Sequence, residues 1–230
     1  MRASKVDRRP SRLRKALGQV YARIFYYRWE RYVWHERNLT QSPTDTLPLP
    51  DGARLRSAVA ADLPALAKIG MPMLDRFDEF SDRGGELCIA DTAEDVVAAI
   101  WIFRTQMPLY PWLELPDGVA AIEHAVIADR LRGHGHMPAV ADAIAERLRL
   151  EGFHTIVLKI VDINQSSLRA VSKIGFRPVA LMHQVRIAGT RRTIVEPATG
   201  IGRYLAKRLA GSTPLDRQVA EWPAYPDVTE

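Results

Sequence analysis

The chain has 230 residues, of which 47% are hydrophobic and 26% charged, with a single cysteine and a formal net charge of +5. That is enough chain for one sizeable core and the composition of a globular protein, and one cysteine excludes a disulfide framework. No apolar run reaches the roughly 18 residues that suggest a membrane-spanning helix, and no signal peptide with an apolar core opens the sequence. The charge is uneven. Residues 1–31 hold ten Lys and Arg against two acids, whereas residues 32–230 hold 22 against 25. The positive excess is a feature of the amino terminus, so nothing marks the main domain as a nucleic-acid binder.

Residues 1–11 are basic and polar and read as disordered. From Arg12 to about Arg31, the apolar positions Leu13, Leu17, Val20, Tyr21, Ile24 and Phe25 follow a helical period. Arg14, Lys15, Arg23 and Arg28 flank them, and Trp29, Tyr32 and Trp34 add aromatics. Such a helix either packs on the main domain through its aromatic face or docks on an anionic membrane or a partner. Residues 1–39 are therefore expected to form a basic, aromatic, helical extension. Residues 40–53, with Pro43, Pro48, Pro50 and Gly52, are a linker by composition.

The main domain is expected to begin at residue 54. Residues 54–58 read as a short strand, and Asp62 as the cap of a helix through Leu66 to Ile69. Residues 71–86 form an acidic helix–loop region carrying Asp75, Asp78, Glu79, Asp82 and Glu86. It is either an exposed surface or the lining of a site for an amine. Residues 87–90 and 96–103 are two apolar, β-branched runs about a turn, which signals a hairpin. Cys88 lies in the first run and reads as a buried, inert thiol, which fits a reducing, cytosolic setting. Residues 107–118, with three prolines, read as a loop, and residues 119–127 as a strand.

The stretch that organises the chain follows, Arg132-Gly133-His134-Gly135-His136-Met137. Two glycines two residues apart let the backbone curl tightly and let a ligand approach it. Pro138 suits the first turn of a helix, and Val140, Ile144 and Leu148 give that helix an apolar stripe. Gly152 is placed to end it, and residues 155–161 are a β-branched strand. A right-handed crossover makes the strands before and after the helix parallel, with the loop at the carboxyl end of the first. A basic glycine loop opening onto a helix N-terminus binds anions, so a phosphorylated ligand is expected. Asn164 can cap a short helix that closes at Gly175. Residues 179–187 and 192–195 read as a hairpin around Ala188-Gly189-Thr190, and residues 201–209 as a basic helix. From Gly211 onward the Pro-rich end reads as loose.

Val126 to Met137, followed by Asn164-Gln165-Ser166-Ser167 and Lys173-Ile174-Gly175-Phe176, resembles the two signatures of the GCN5-related N-acetyltransferase superfamily. The first is its acyl-CoA pyrophosphate motif, and the gap between the two fits one helix and one strand. The resemblance spans about residues 54–187 and implies an α/β (α+β) fold. In that fold a mixed, mostly antiparallel central sheet is flanked by helices and contains a parallel, splayed central strand pair. It implies an acyltransferase domain over residues 54–210, a tail over 211–230, and acetyl-CoA or another acyl-CoA as co-substrate. The pantetheine arm would lie along the strand bearing Val126 and Ile127. The amides of Gly133, His134, Gly135, His136 and Met137 would hold the pyrophosphate with help from Arg132. Asn164 and Ser167 would face the cofactor from the other side, a role that can coexist with plain capping by Asn164.

Two departures stand out. Met137 occupies a place usually held by Gly or Ala, unless the motif is aligned from Arg130, which puts Gly135 there. Val171 stands where many members carry a tyrosine that protonates the departing thiolate. Glu123, on the strand before the loop, is either the base that deprotonates the acceptor amine, directly or through water, or a structural carboxylate. Partial burial among apolar neighbours is expected to raise its pKa. Strand alternation places His124 on the opposite face, as a structural histidine or a second base. His134 and His136 are spaced like metal ligands, but no cysteine or acid cluster accompanies them, so they read as loop residues and no metal is expected. The expected activity is transfer of an acetyl group from acetyl-CoA to an unidentified amine by direct attack, in the cytoplasm or peripheral to a membrane through residues 12–34. The alternatives are a non-catalytic acyl-CoA-binding sensor and a membrane- or partner-docked accessory protein.

Overall fold

The computed structural model describes residues 28–40, 48–50, 52–107, 110–187, 190–197, 200–209 and 211–214. Its strands are β1 (Arg28–Asn38), β2 (Arg54–Ser57), β3 (Gly85–Asp91), β4 (Val96–Phe103), β5 (Gln106–Met107), β6 (Tyr110–Glu114), β7 (Val119–Ile127), β8 (Thr155–Val161), β9 (Arg177–Ile187), β10 (Thr190–Pro197) and β11 (Gly211–Pro214). The helices are α1 (Leu63–Lys68), α2 (Phe77–Asp82), α3 (His136–Leu150), α4 (Gln165–Lys173) and α5 (Gly200–Leu209). Among the described residues, nine strands form one sheet in the order β11-β10-β9-β1-β8-β7-β4-β3-β2, and β5 and β6 form a separate hairpin. Only β7 and β8 are parallel; every other neighbouring pair is antiparallel. The expected mixed sheet with one parallel central pair is therefore present.

Four local expectations are corrected. The helical reading of the amino terminus fails from residue 28, because β1 lies inside the sheet between β8 and β9. Tyr32 and Trp34, two residues apart, share one face of a strand but diverge by about 200° on a helix. Both are buried, at 3% and 0% exposure, so they are closed to a docking partner, whereas Trp29 is 56% exposed. The rest of that expected helix and most of the linker lie outside the described residues. Gln106–Met107 and Tyr110–Glu114 pair as β5 and β6 where a loop was expected, and residues 211–214 pair with β10 where a loose end was expected. Asp62 does not cap α1. Its carboxylate accepts the Val59 amide at 2.8 Å and the Arg56 guanidinium at 2.7 and 2.8 Å.

The sheet buries both faces. One carries Tyr32, Trp34, Trp101, Phe103 and Val157 beneath α1, α2, the β5–β6 hairpin and α5. The other carries Cys88, Ile100, Ile102, Ile122 and Leu158 against Val140, Ile144 and Leu148 of α3. A buried ion pair, Arg37 to Asp142 at 2.5 Å, ties β1 to α3 across that second core, with both side chains under a tenth exposed.

Removing one partner of such a pair strands a charge in the core, which typically costs about 3–5 kcal/mol. Asp142→Ala is expected to destabilise by that amount in denaturant unfolding, and Arg37→Met combined with Asp142→Leu to recover most of it. Cys88 is 1% exposed, and burial, foremost, pushes its thiol up to about 11. It is expected to resist Ellman's reagent in the native protein and to react at once in guanidinium.

Candidate active site

β7 and β8 share three register pairs, Val119–Thr155, Ala120–Ile156 and Ala121–Val157. Beyond them each strand follows its outer neighbour. β7 stays on β4 through Val126–Ala99 and Ile127–Ala98, and β8 stays on β1 through Leu158–His35 to Val161–Tyr32. The two strands therefore part toward their carboxyl ends, leaving facing backbone groups free of each other.

The glycine loop stands at the end of β7. Gly133 and Gly135 both have φ of +81°, a conformation that strains any L side chain, and Gly135 is the N-cap of α3. A Cβ at either position would meet nothing within 4 Å, so the loop is open on its outer side. The amides of residues 133–137 donate no backbone hydrogen bond among the described residues, and they stand at the positive end of a 15-residue helix. The Arg132 side chain is 64% exposed and pairs with Asp129 at 2.9 Å, an exposed contact that an anion can displace. The Met137 side chain packs on the apolar cluster under α3, so only its backbone is presented to the loop. Val126 and Ile127 are half-buried on the parted segment of β7. The rings of His134 and His136 lie 6.2 Å apart, and no third metal-ligating side chain joins them among the described residues.

α4 touches α3. Asn164 caps it, its Oδ1 accepting the Ser167 amide at 3.1 Å and the Ser166 hydroxyl at 2.9 Å. The helix-cap role of Asn164 is thus present in the fold. Val171 packs against the second core and offers no proton.

Glu123 lies on the face turned away from α3, opposite Trp101 of β4. Its environment is not purely apolar. Lys159 of β8 reaches across the parting and places Nζ 2.8 Å from Oε1, with the two side chains 8% and 3% exposed. The same ammonium lies 4.3 Å from the ring centre of Tyr110 and 6.0 Å from those of Tyr32 and Trp34. Burial opposes the charge on Lys159, but the Glu123 carboxylate and Tyr110 outweigh it and hold the group above the ordinary lysine range. Gln184, fully buried on β9, donates to the Tyr110 hydroxyl at 3.1 Å. Sequence reasoning missed Lys159 and Tyr110. The signal for Lys159 was a lone charge inside the apolar strand Thr155–Val161; Tyr110 lay in a stretch read as a loop.

His124 departs from alternation. Between Trp101–Glu123 and Ala99–Val126, two β7 residues stand opposite Ile100 alone, which is a bulge. His124 takes φ of +53° there, and its Nε2 comes to 3.8 Å from Glu123 Oε2. The two side chains meet instead of facing opposite ways. Burial, foremost, lowers the His124 pKa from the ordinary histidine value; Lys159 acts in the same direction and Glu123 against it.

Residues 55–176, more than half of the chain, match the family model described as the acetyltransferase (GNAT) family. The chain belongs to that family. No curated protein matches it. Among solved structures, it is similar to a GCN5-related N-acetyltransferase from Sphaerobacter thermophilus at 15% identity and a TM-score of 0.52, covering 75% of this chain and 56% of that one. It is also similar to a Drosophila protein at 13% identity and a TM-score of 0.53, covering 76% and 56%. The chain thus spans under two thirds of the length of these relatives, and at such identities the likeness is one of fold. Among the described residues no helix is long and apolar enough to cross a membrane.

Lys159→Met leaves Glu123 buried without its counter-charge. It is expected to cost about 3–5 kcal/mol at pH 7 in urea unfolding.

Proposed function

We infer that this chain is an acyl-CoA-dependent N-acyltransferase that moves an acetyl group from acetyl-CoA to an amine by direct attack. Family membership supports acyl transfer in general. The observation that carries the finer reading is the parting of β7 and β8 beneath a loop of free amides. The amides of Gly133, His134, Gly135, His136 and Met137, with Arg132, bind the pyrophosphate. The backbone at Val126 and Ile127 pairs with the pantetheine arm, and Asn164 and Ser167 border it from α4. The thioester then lies at the floor of the parting, near Glu123, while the amine arrives from the face under α1, α2 and the β5–β6 hairpin. Direct attack needs a neutral amine and a stabilised oxyanion. No metal takes part in this reading. The single, buried thiol supports a reducing compartment such as the cytoplasm.

A second reading, a sensor that binds acyl-CoA without turning it over, is favoured by Val171, which removes the hydroxyl that protonates the thiolate in many relatives. Thiol release from acetyl-CoA in the presence of an amine panel separates the two.

Calorimetry on the folded chain is expected to detect coenzyme A binding, and no affinity for coenzyme A or acetyl-CoA ends both readings. Gly135→Ala forces a Cβ into the left-handed region, at a cost of about 1–2 kcal/mol. It is expected to weaken coenzyme A binding by roughly tenfold, with Arg132→Ala giving a smaller loss that shrinks at high salt.

A further inference from the structure

Glu123 sits where a base is needed, yet it is committed elsewhere. Its side chain is 3% exposed and holds the Lys159 ammonium at 2.8 Å. A proton arriving on that carboxylate would leave a buried ammonium unpaired among aromatic rings, which is costly. His124 differs in exposure and in having no such close ion pair. Its side chain is more exposed, at 16%, and its Nε2 stands 3.8 Å from Glu123 Oε2, against 2.8 Å for the Lys159 ammonium. Its backbone is left-handed in mid-strand, a strain that a β-branched or apolar residue would tolerate less well. The bulge that imposes this strain brings the ring beside Glu123, on the stretch of β7 that has already left β8.

The geometry points to His124 as the group that takes the proton from the acceptor amine, with Glu123 positioning its ring and Lys159 fixing Glu123. This assignment rests on the transferase reading and adds to it the identity of the base. With Nε2 turned onto the carboxylate, Nδ1 is the nitrogen left for the acceptor. The 3.8 Å approach is longer than a hydrogen bond, and such contacts commonly tighten only when substrate is bound. In the reaction the amine nitrogen forms a bond to the thioester carbonyl carbon and gives one proton to Nδ1. The carbon–sulfur bond breaks, and its electron pair leaves on the coenzyme A sulfur. The imidazolium returns the proton to that thiolate through water, so amide and free thiol are the only products. Glu123 favours the transient imidazolium, and the neighbouring Lys159 charge keeps it short-lived.

The charged groups acting on the ring are Glu123 on β7 and Lys159 on β8, while β4 carries no titratable side chain. Activity is lost as His124 gains a proton, so the acid limb of the rate profile is expected below the ordinary histidine value of 6.5.

The test uses the full chain, acetyl-CoA and four probes: benzylamine, spermidine, glucosamine and a short peptide with a free amino terminus. H124N keeps a residue that accepts positive φ and removes the base. It is expected to bind coenzyme A within about twofold of wild type and to lose about 10²- to 10⁴-fold in turnover. E123Q is expected to lose less than H124N and to move the acid limb to lower pH, because the charge that favours the imidazolium is gone. Should either variant fail to fold, nitrogen-15 NMR of the wild-type ring decides, with a neutral imidazole protonated on Nε2 expected at pH 7. Unchanged turnover in H124N, a greater loss in E123Q than in H124N, or a proton on Nδ1 overturns the assignment and leaves the transferase reading standing. A wild type that binds coenzyme A but acylates none of the four probes overturns both.

Discussion

β7 and β8 begin as hydrogen-bonded neighbours and end apart, because each is held by a different outer partner over its carboxyl half. Backbone groups freed in this way need another partner, whether ligand or water, since an unpaired buried amide or carbonyl is costly. A gap in mid-sheet is therefore both a destabilising feature and a binding opportunity. β1 is what sustains it. By pairing with β8 along its whole length on the far side, it keeps β8 ordered where β7 no longer can. β1 also lies outside residues 55–176, so the part of the chain that matches the family does not hold its own central gap open unaided.

Two buried ion pairs brace this arrangement. Glu123–Lys159 crosses the parting on one face of the sheet, and Arg37–Asp142 joins β1 to α3 on the other. Taking four charges out of water is expensive, and well-packed apolar residues often serve stability as well or better. Their value is in placement. One pair fixes the spacing of the parted strands, and the other fixes α3, whose N-terminus carries the amides of the glycine loop. The loop at the end of β7 and the polar cluster at the floor of the gap are thereby held in one frame.

The two faces divide the work. The face under α3 and α4 carries the glycine loop. The opposite face carries Glu123, His124 and Lys159 beneath α1, α2 and the β5–β6 hairpin, which lowers Tyr110 onto Lys159. In the proposed reaction the cofactor spans the sheet through the gap, and the acceptor meets it from the second face. The acceptor-side elements are short and irregular, with Met73 in the left-handed region at φ of 63°. Such elements vary without disturbing the sheet, and identity of purpose does not follow from likeness of fold.

What was legible in the sequence was local. The run of strand, glycine loop, helix and strand, the hairpin of residues 87–90 and 96–103 and the cap at Asn164 all rest on neighbours within a few residues. Gly133 and Gly135 were legible because a backbone conformation of positive φ has a residue-type signature. The parallel pair followed from the handedness of a crossover, and its splay came only from resemblance. The rest needed contacts between distant parts of the chain. Arg37 and Asp142 lie 105 residues apart, and nothing near either one announces the other. β1 passed for the end of a helix because Trp29, Tyr32 and Val33 keep a helical spacing, although Tyr32 and Trp34 do not, until β8 and β9 select the extended form. Lys159 was visible as an odd charge in an apolar strand, but only packing supplied its partner. The bulge at His124 was invisible, since one extra residue in a strand changes no composition and yet reverses which way a side chain faces.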